Sequence, residues 1–237
     1  MVSSAAVPRI QLTLVVALFV SVSSLAAAQP APPAKPPPSG GPETWYTEVL
    51  LAGGAEPAIE HLWSKGPWLR SELVVRGQPI LQLVKGDRYV IINRIERNGI
   101  AIKRNPVAIA VDAQSKRPFA DDRDRIVAAG GERVGTDTLG GHECEVYRVT
   151  DGDGRRETCV TSGGLPVRTQ MWHRASGQTT TASYLSWATQ VPLPDAFFDA
   201  DPGVTIQEYD YEQYMNEAAK GPVGPAPALH SYLLHGK

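Results

Sequence analysis

The stretch Trp68-Leu69-Arg70-Ser71-Glu72-Leu73-Val74-Val75-Arg76-Gly77-Gln78-Pro79-Ile80-Leu81-Gln82-Leu83-Val84-Lys85-Gly86-Asp87-Arg88-Tyr89-Val90-Ile91-Ile92-Asn93 decides the fold class. Its apolar residues recur with a period of two, and β-branched and aromatic residues are frequent. Gly77 and Gly86-Asp87 punctuate it at hairpin spacing. Three strands follow: Trp68–Arg76, Pro79–Lys85 and Arg88–Asn93. In the first, Leu69, Ser71, Leu73 and Val75 share one face and Arg70, Glu72 and Arg76 the other. The charged face is expected to meet water, which turns the Leu/Val face inward.

Working outward, Trp45–Leu51, Ala58–Ser64 and Gly99–Arg104 repeat the pattern, bounded by Gly53-Gly54, Gly66-Pro67, Asn98-Gly99 and Asn105-Pro106. These six runs read as an antiparallel meander. The period then changes. Pro118–Ala129, with its proline near the start, acidic residues early and Gly130-Gly131 after its end, reads as a helix. Strands resume over Glu132–Thr136, His142–Thr150, Arg155–Thr161, Val167–Arg174, Thr179–Trp187 and Val204–Tyr209. The fold class is mostly β: a curved antiparallel sheet with a short helical insert covering its concave face.

The ends are different. Arg9, the apolar run Ile10–Leu25 and the small residues Ala26-Ala27-Ala28 have the order of a secretory signal peptide, residues 1–28, with cleavage expected after Ala28. Gln29–Pro42 holds seven prolines in fourteen residues and reads as a disordered spacer. The β domain is expected over 43–220, followed by a Pro/Gly-rich tail, 221–237. The tail's Leu229, Tyr232, Leu233 and Leu234 form an apolar cluster. It reads either as a disordered end, or as a docking peptide for an envelope protein or a segment folded back over the sheet.

Charge excludes one class of partner. The chain carries 23 Lys+Arg and 25 Asp+Glu, interspersed, so no basic face for nucleic acid stands out. Beyond the leader no apolar stretch is long enough to cross a membrane, so the mature chain is not expected to be an integral membrane protein. Cys144 and Cys159 are the two cysteines. In an exported chain an even count favours a disulfide. A two-residue turn at Asp151-Gly152 places Cys144 opposite Cys159; a turn at Asp153-Gly154 makes the pairing less direct. The competing reading, a metal site from His142, Cys144 and Cys159, lacks a fourth ligand. No nucleophile elbow, P-loop, dinucleotide or zinc-protease motif is present, so no catalytic residue, metal or cofactor is assigned and the chain is not read as an enzyme.

Several segments together resemble the LolA-like superfamily of outer-membrane lipoprotein carriers and lipoprotein-sorting-like periplasmic proteins. The early ones are Leu62-Trp63-Ser64-Lys65-Gly66-Pro67-Trp68 through Glu72, and Lys85-Gly86-Asp87-Arg88-Tyr89. The later ones are Gly135-Thr136-Asp137, Gly141-His142-Glu143-Cys144-Glu145-Val146-Tyr147 and Gly164-Leu165-Pro166-Val167-Arg168, closed by Trp187, Val191-Pro192, Phe197, Pro202-Gly203-Val204 and Tyr209. The resemblance implies a half-barrel with a cavity for acyl chains, a periplasmic location, and a binding or carrier role in lipid or lipoprotein trafficking. The alternative is a periplasmic sensor or protein-interaction module with a filled sheet face. Two departures bear on the lid. The carriers begin with a helix where the Pro-rich spacer here runs almost into Trp45, and Gly66 stands where they carry a latching arginine. The residues expected to line the ligand cavity are Trp63, Leu69, Leu73, Val75, Tyr89 and Ile91.

Overall fold

The computed structural model describes residues 44–54, 56–114 and 122–236. The expected leader and the Pro-rich spacer lie outside them. Within the described residues twelve strands form one sheet: β1 (Thr44–Ala52), β2 (Ala58–Lys65), β3 (Trp68–Val75), β4 (Gln78–Lys85), β5 (Arg88–Asn93), β6 (Asn98–Lys103), β7 (Glu132–Leu139), β8 (His142–Thr150), β9 (Gly154–Val160), β10 (Pro166–His173), β11 (Thr179–Thr189) and β12 (Thr205–Tyr209). Their order is β12-β6-β5-β4-β3-β2-β1-β11-β10-β9-β8-β7. All neighbours are antiparallel except β12, which lies parallel to β6. Two meanders are thus joined through the β1–β11 pair, and the sheet curves into an open half-barrel.

The pleat sorts the apolar residues onto two faces. On the concave face Val49, Leu62, Leu69, Leu73, Ile80, Val84, Tyr89, Ile91, Ile100 and Ile102 form the main core. On the convex face Leu81, Leu83, Val90, Ile92 and Ala101 pack beneath Ala200, Val204 and Ile206. That second layer corrects the expectation that the charged face of β3 meets water. Arg70 is 6% exposed. Its guanidinium binds Glu72 at 2.5 Å, donates to the Phe197 carbonyl at 2.7 Å and stacks 4.5 Å from the Phe197 ring. An alternating strand says which side chains share a face, but not whether a distant loop will cover it.

The helical insert comprises α1 (Pro106–Gln114) and α2 (Asp122–Ala128). Only the second part of the expected helix Pro118–Ala129 is described, and α1 was not anticipated. Its signal is Asn105-Pro106: the Asn105 side chain accepts from the Val107 N–H at 2.8 Å, an N-cap ahead of a proline in the first turn. Beyond β12 come α3 (Tyr211–Ala218) and α4 (Ser231–His235). This C-terminal segment folds back over the concave face. Tyr214, Ala226, Leu233 and Leu234 join the main core, so of the two readings of the tail the folded-back one is found. α4 is pinned to α1 at Gly236, whose φ is +80° and where an added Cβ would come within 2.7 Å of the Ala108 nitrogen.

Cys144 and Cys159 form a disulfide with a Cα–Cα separation of 5.4 Å. The metal reading of these sulfurs therefore fails. The register differs from both turns considered. Thr150 pairs with Arg155 and Val146 with Cys159, so the bridge is diagonal across β8 and β9. The loop between them is an Asx turn in which the Asp151 carboxylate accepts from the Asp153 and Gly154 N–H groups at 2.9 and 3.1 Å.

Candidate functional site

Where the C-terminal segment ends its crossing, the concave face retains a cavity of about 530 Å³. Its wall follows the strand order. Leu69 comes from β3, Glu60 and Leu62 from β2, Val49 and Leu51 from β1, Ala182 and Tyr184 from β11, Thr169 from β10, and Thr158 and Arg156 from β9. The C-terminal segment supplies Leu229, His230 and Tyr232, and α2 supplies Ile126. All sheet contributions come from one face because their parity along each strand is the same.

The segment is held by a polar network set into the apolar face. His230 Nε2 lies 2.8 Å from Glu60 Oε1, and Ser71 Oγ donates to the same oxygen at 2.5 Å. The Glu60 and His230 side chains are 4% and 14% exposed. Burial pushes the Glu60 carboxyl up, but the His230 imidazole and the hydrogen bonds from His230 and Ser71 outweigh it and hold the carboxyl below its ordinary range. Next to it the Tyr89 hydroxyl accepts from the His230 backbone N–H at 3.2 Å and donates to Gln82 Oε1 at 2.5 Å. That oxygen also accepts from the Leu229 N–H, while Gln82 Nε2 donates to the Pro227 carbonyl. Burial raises the Tyr89 hydroxyl far above its ordinary value, so it remains a protonated donor. Arg104 completes the anchoring with bonds to the Leu233 carbonyl at 2.7 Å and to Asp112 at 2.9 Å.

The six residues expected at the cavity fall in three places. Leu69 lines it. Leu73, Tyr89 and Ile91 are on the concave face, buried in the core beneath the C-terminal segment, and Val75 packs at its edge. Trp63 is on the convex face: its neighbours Leu62 and Ser64 are the buried ones, and its ring packs against Tyr46 and Phe197 with centroids 5.2 and 5.4 Å away. Sequence reasoning missed Glu60, Arg156 and His230. Glu60 carried a signal, since it alternates in phase with Leu62. His230 and Arg156 carried none, because nothing local says what a tail histidine or a hairpin arginine will face. Among the described residues no group of three or more His, Cys, Asp or Glu side chains is arranged to hold a metal ion, and no helix is long and apolar enough to cross a membrane.

No protein-family model matches the sequence, and no curated protein matches it. Solved structures do. An uncharacterised conserved protein of Thermus thermophilus superposes with a TM-score of 0.52 at 9% identity, over 70% of this chain and 90% of that one. A putative outer-membrane lipoprotein-sorting protein domain of Vibrio parahaemolyticus gives 0.33 at 12% identity, over 68% of this chain and 91% of that one. The MucA/MucB complex of Pseudomonas aeruginosa gives 0.42 at 14% identity; the match covers 67% of this chain and 56% of that one. At 9% identity the likeness to the Thermus thermophilus protein is one of fold alone.

Proposed function

We propose that this chain is a periplasmic binding or carrier protein that takes the apolar part of a lipid or acylated ligand beneath the concave face of its half-barrel, in the trafficking of lipids or outer-membrane lipoproteins. The observation that carries this reading is the cavity of about 530 Å³ with Val49, Leu51, Leu62, Leu69 and Ala182 in its wall. Apolar surface contributes roughly 25 cal/mol per Å² removed from water, so an acyl chain binds there by burial alone. Leu69 belongs to the site as it stands. Leu73, Val75, Tyr89 and Ile91 become available to a larger ligand only when the C-terminal segment lifts. Trp63 faces the convex side and is left out of this reading.

Native mass spectrometry of protein purified from a bacterial periplasm tests the reading, together with titration of a fluorescent fatty-acid probe. Co-purified lipid and saturable probe binding are expected. Ala182→Phe, which fills the cavity, is expected to reduce probe binding strongly while leaving the circular dichroism spectrum unchanged. Absence of saturable binding by the unaltered protein defeats the carrier reading. A second reading then stands on a specific observation: the C-terminal segment already covers much of the concave face, which suits an interaction module whose sheet is filled by its own chain.

A further inference from the structure

Polarity across the cavity changes in one direction, along the strand order. Leu51, Ala182, Thr169 and Thr158 form one continuous cross-strand row, each directly paired with the next across β1, β11, β10 and β9. The row begins with aliphatic side chains and ends with two hydroxyls 3.2 Å apart. Arg156 stands two residues further along β9 on the same face. It also lines the cavity and is solvent-exposed, and its guanidinium makes no ion pair or hydrogen bond with the described residues. The other side of the cavity, on β3, β2 and β1, presents Leu69, Leu62, Val49 and Leu51. The carboxylate on that side, Glu60, is already engaged by His230 and Ser71. Arg156 is therefore the one formal charge in the wall left without a partner among the described residues.

From these placements we infer that the cavity selects an anionic single-chain amphiphile, with its acyl tail along β3, β2 and β1 and its negatively charged head group at Arg156, Thr158 and Thr169. This inference rests on the apolar-ligand reading above and specifies its chemistry. β3 and β9 are five interstrand steps apart, about 24 Å along the curved sheet at ~4.8 Å per step. That span is of the order of an extended long-chain acid. A guanidinium offers forked donors matched to a carboxylate or phosphate, and the threonine hydroxyls offer further donors beside it. A neutral head group leaves the guanidinium in water and gains nothing from it.

The test compares three ligands with one tail, dodecanoate, dodecyl phosphate and dodecanol, by displacement of a fluorescent fatty-acid probe at neutral pH. The unaltered protein is expected to bind at least one of the two anions about tenfold more tightly than the alcohol, as one partly exposed charge-assisted contact is worth on the order of 1.4 kcal/mol. Which anion is preferred tells a carboxylate from a phosphate head. Arg156→Gln is expected to bring that ratio close to one while leaving dodecanol affinity unchanged, and Arg156→Lys to retain part of it. Arg156 is exposed, so neither change threatens the fold. Equal binding of all three ligands, or a preference that survives Arg156→Gln, overturns the inference and leaves the apolar-ligand reading intact. Failure of all three to displace the probe, or a probe that does not bind, overturns the apolar-ligand reading itself.

Discussion

Replacing His230 with alanine removes the partner of a carboxylate whose side chain is 4% exposed. Leaving a buried carboxylate without its partner costs about 3–5 kcal/mol, because the remaining charge is left without compensation. Glu60 has one escape, to take up a proton. From an ordinary value of 4.5, neutralising it at pH 7 costs about 3.4 kcal/mol, at 1.36 kcal/mol per unit. The protonated form can keep its bond to Ser71. The penalty of the stranded charge is therefore capped near 3.4 kcal/mol at pH 7, and by the same arithmetic it falls below about 1 kcal/mol at pH 5. A second limit is local: the C-terminal segment can peel away and admit water at less cost than global unfolding. Urea unfolding at the two pH values measures the first limit, and amide hydrogen exchange at Leu229 and Asn105 measures the second. Asn105 is a suitable probe because its N–H donates to the Leu234 carbonyl at 3.0 Å. Glu60→Gln combined with His230→Ala is expected to recover part of the loss, since no charge is then stranded. A loss under about 1 kcal/mol at pH 7 that appears neither in unfolding nor in exchange refutes the reasoning, as does a loss independent of pH.

Three further outcomes follow from the same contacts. In the unaltered protein the Glu60 carboxyl sits below its ordinary range when folded, so its contribution is present above pH 4.5 and is lost as the pH falls through the folded value; proteolysis of the C-terminal segment should accelerate below that pH, and Glu60→Gln should flatten the dependence. Replacing both cysteines with serine should destabilise the domain by up to about 3 kcal/mol, the loop-closure figure for a separation near 15 residues, and reductant should lower the melting temperature of the unaltered protein but not of the variant. Arg70→Ala should cost about 2–3 kcal/mol by leaving the Phe197 ring and carbonyl without their cation, with faster exchange at the Asp199 amide as the local sign.

Strands were legible because their signal is local. All twelve observed strands coincide with short runs between Gly, Asn, Asp or Pro breaks, and even the short β12 (Thr205–Tyr209) announces itself after Pro202-Gly203. Which face each strand presents was legible only in part. Leu69 and Leu73 point inward as the alternation of β3 requires, whereas Trp63 is expected inward from its place on the neighbouring strand, and its own parity with Leu62 puts it outside. The cover was the least legible. Pro222, Pro225 and Pro227 read as a spacer because they exclude helix and strand, yet exclusion of regular structure is not absence of packing. Ala226 is buried in the core, and the Pro227 carbonyl finds its donor in Gln82, a long-range contact with no sequence pattern to betray it.

The position of the cavity follows from how this cover is built. The concave face over β4, β5 and β6 carries Ile80, Val84, Tyr89, Ile91, Ile100 and Ile102, too large an apolar patch to leave wet. A proline-rich segment cannot extend a sheet, since it lacks the N–H groups to pair with an edge. It can cross a face if side chains rising from the sheet satisfy its carbonyls, which is what Gln82 and Arg104 do. Those donors and the Glu60–His230 pair lie on β2, β4 and the end of β6, so the anchored crossing stops at β2. From β1 to β9 it is Ile126 of α2 that closes over the concave face. The unfilled volume thus lies where the chain's own anchors end, with an aliphatic wall against the segment and Arg156 at the far side. A change that moves the last anchor should move the cavity's boundary with it. Ser71→Ala, which removes one of the two bonds to Glu60 Oε1, is accordingly expected to raise uptake of a bulky fluorescent lipid more than that of a slender one. Equal gains for both would separate the anchor from the boundary.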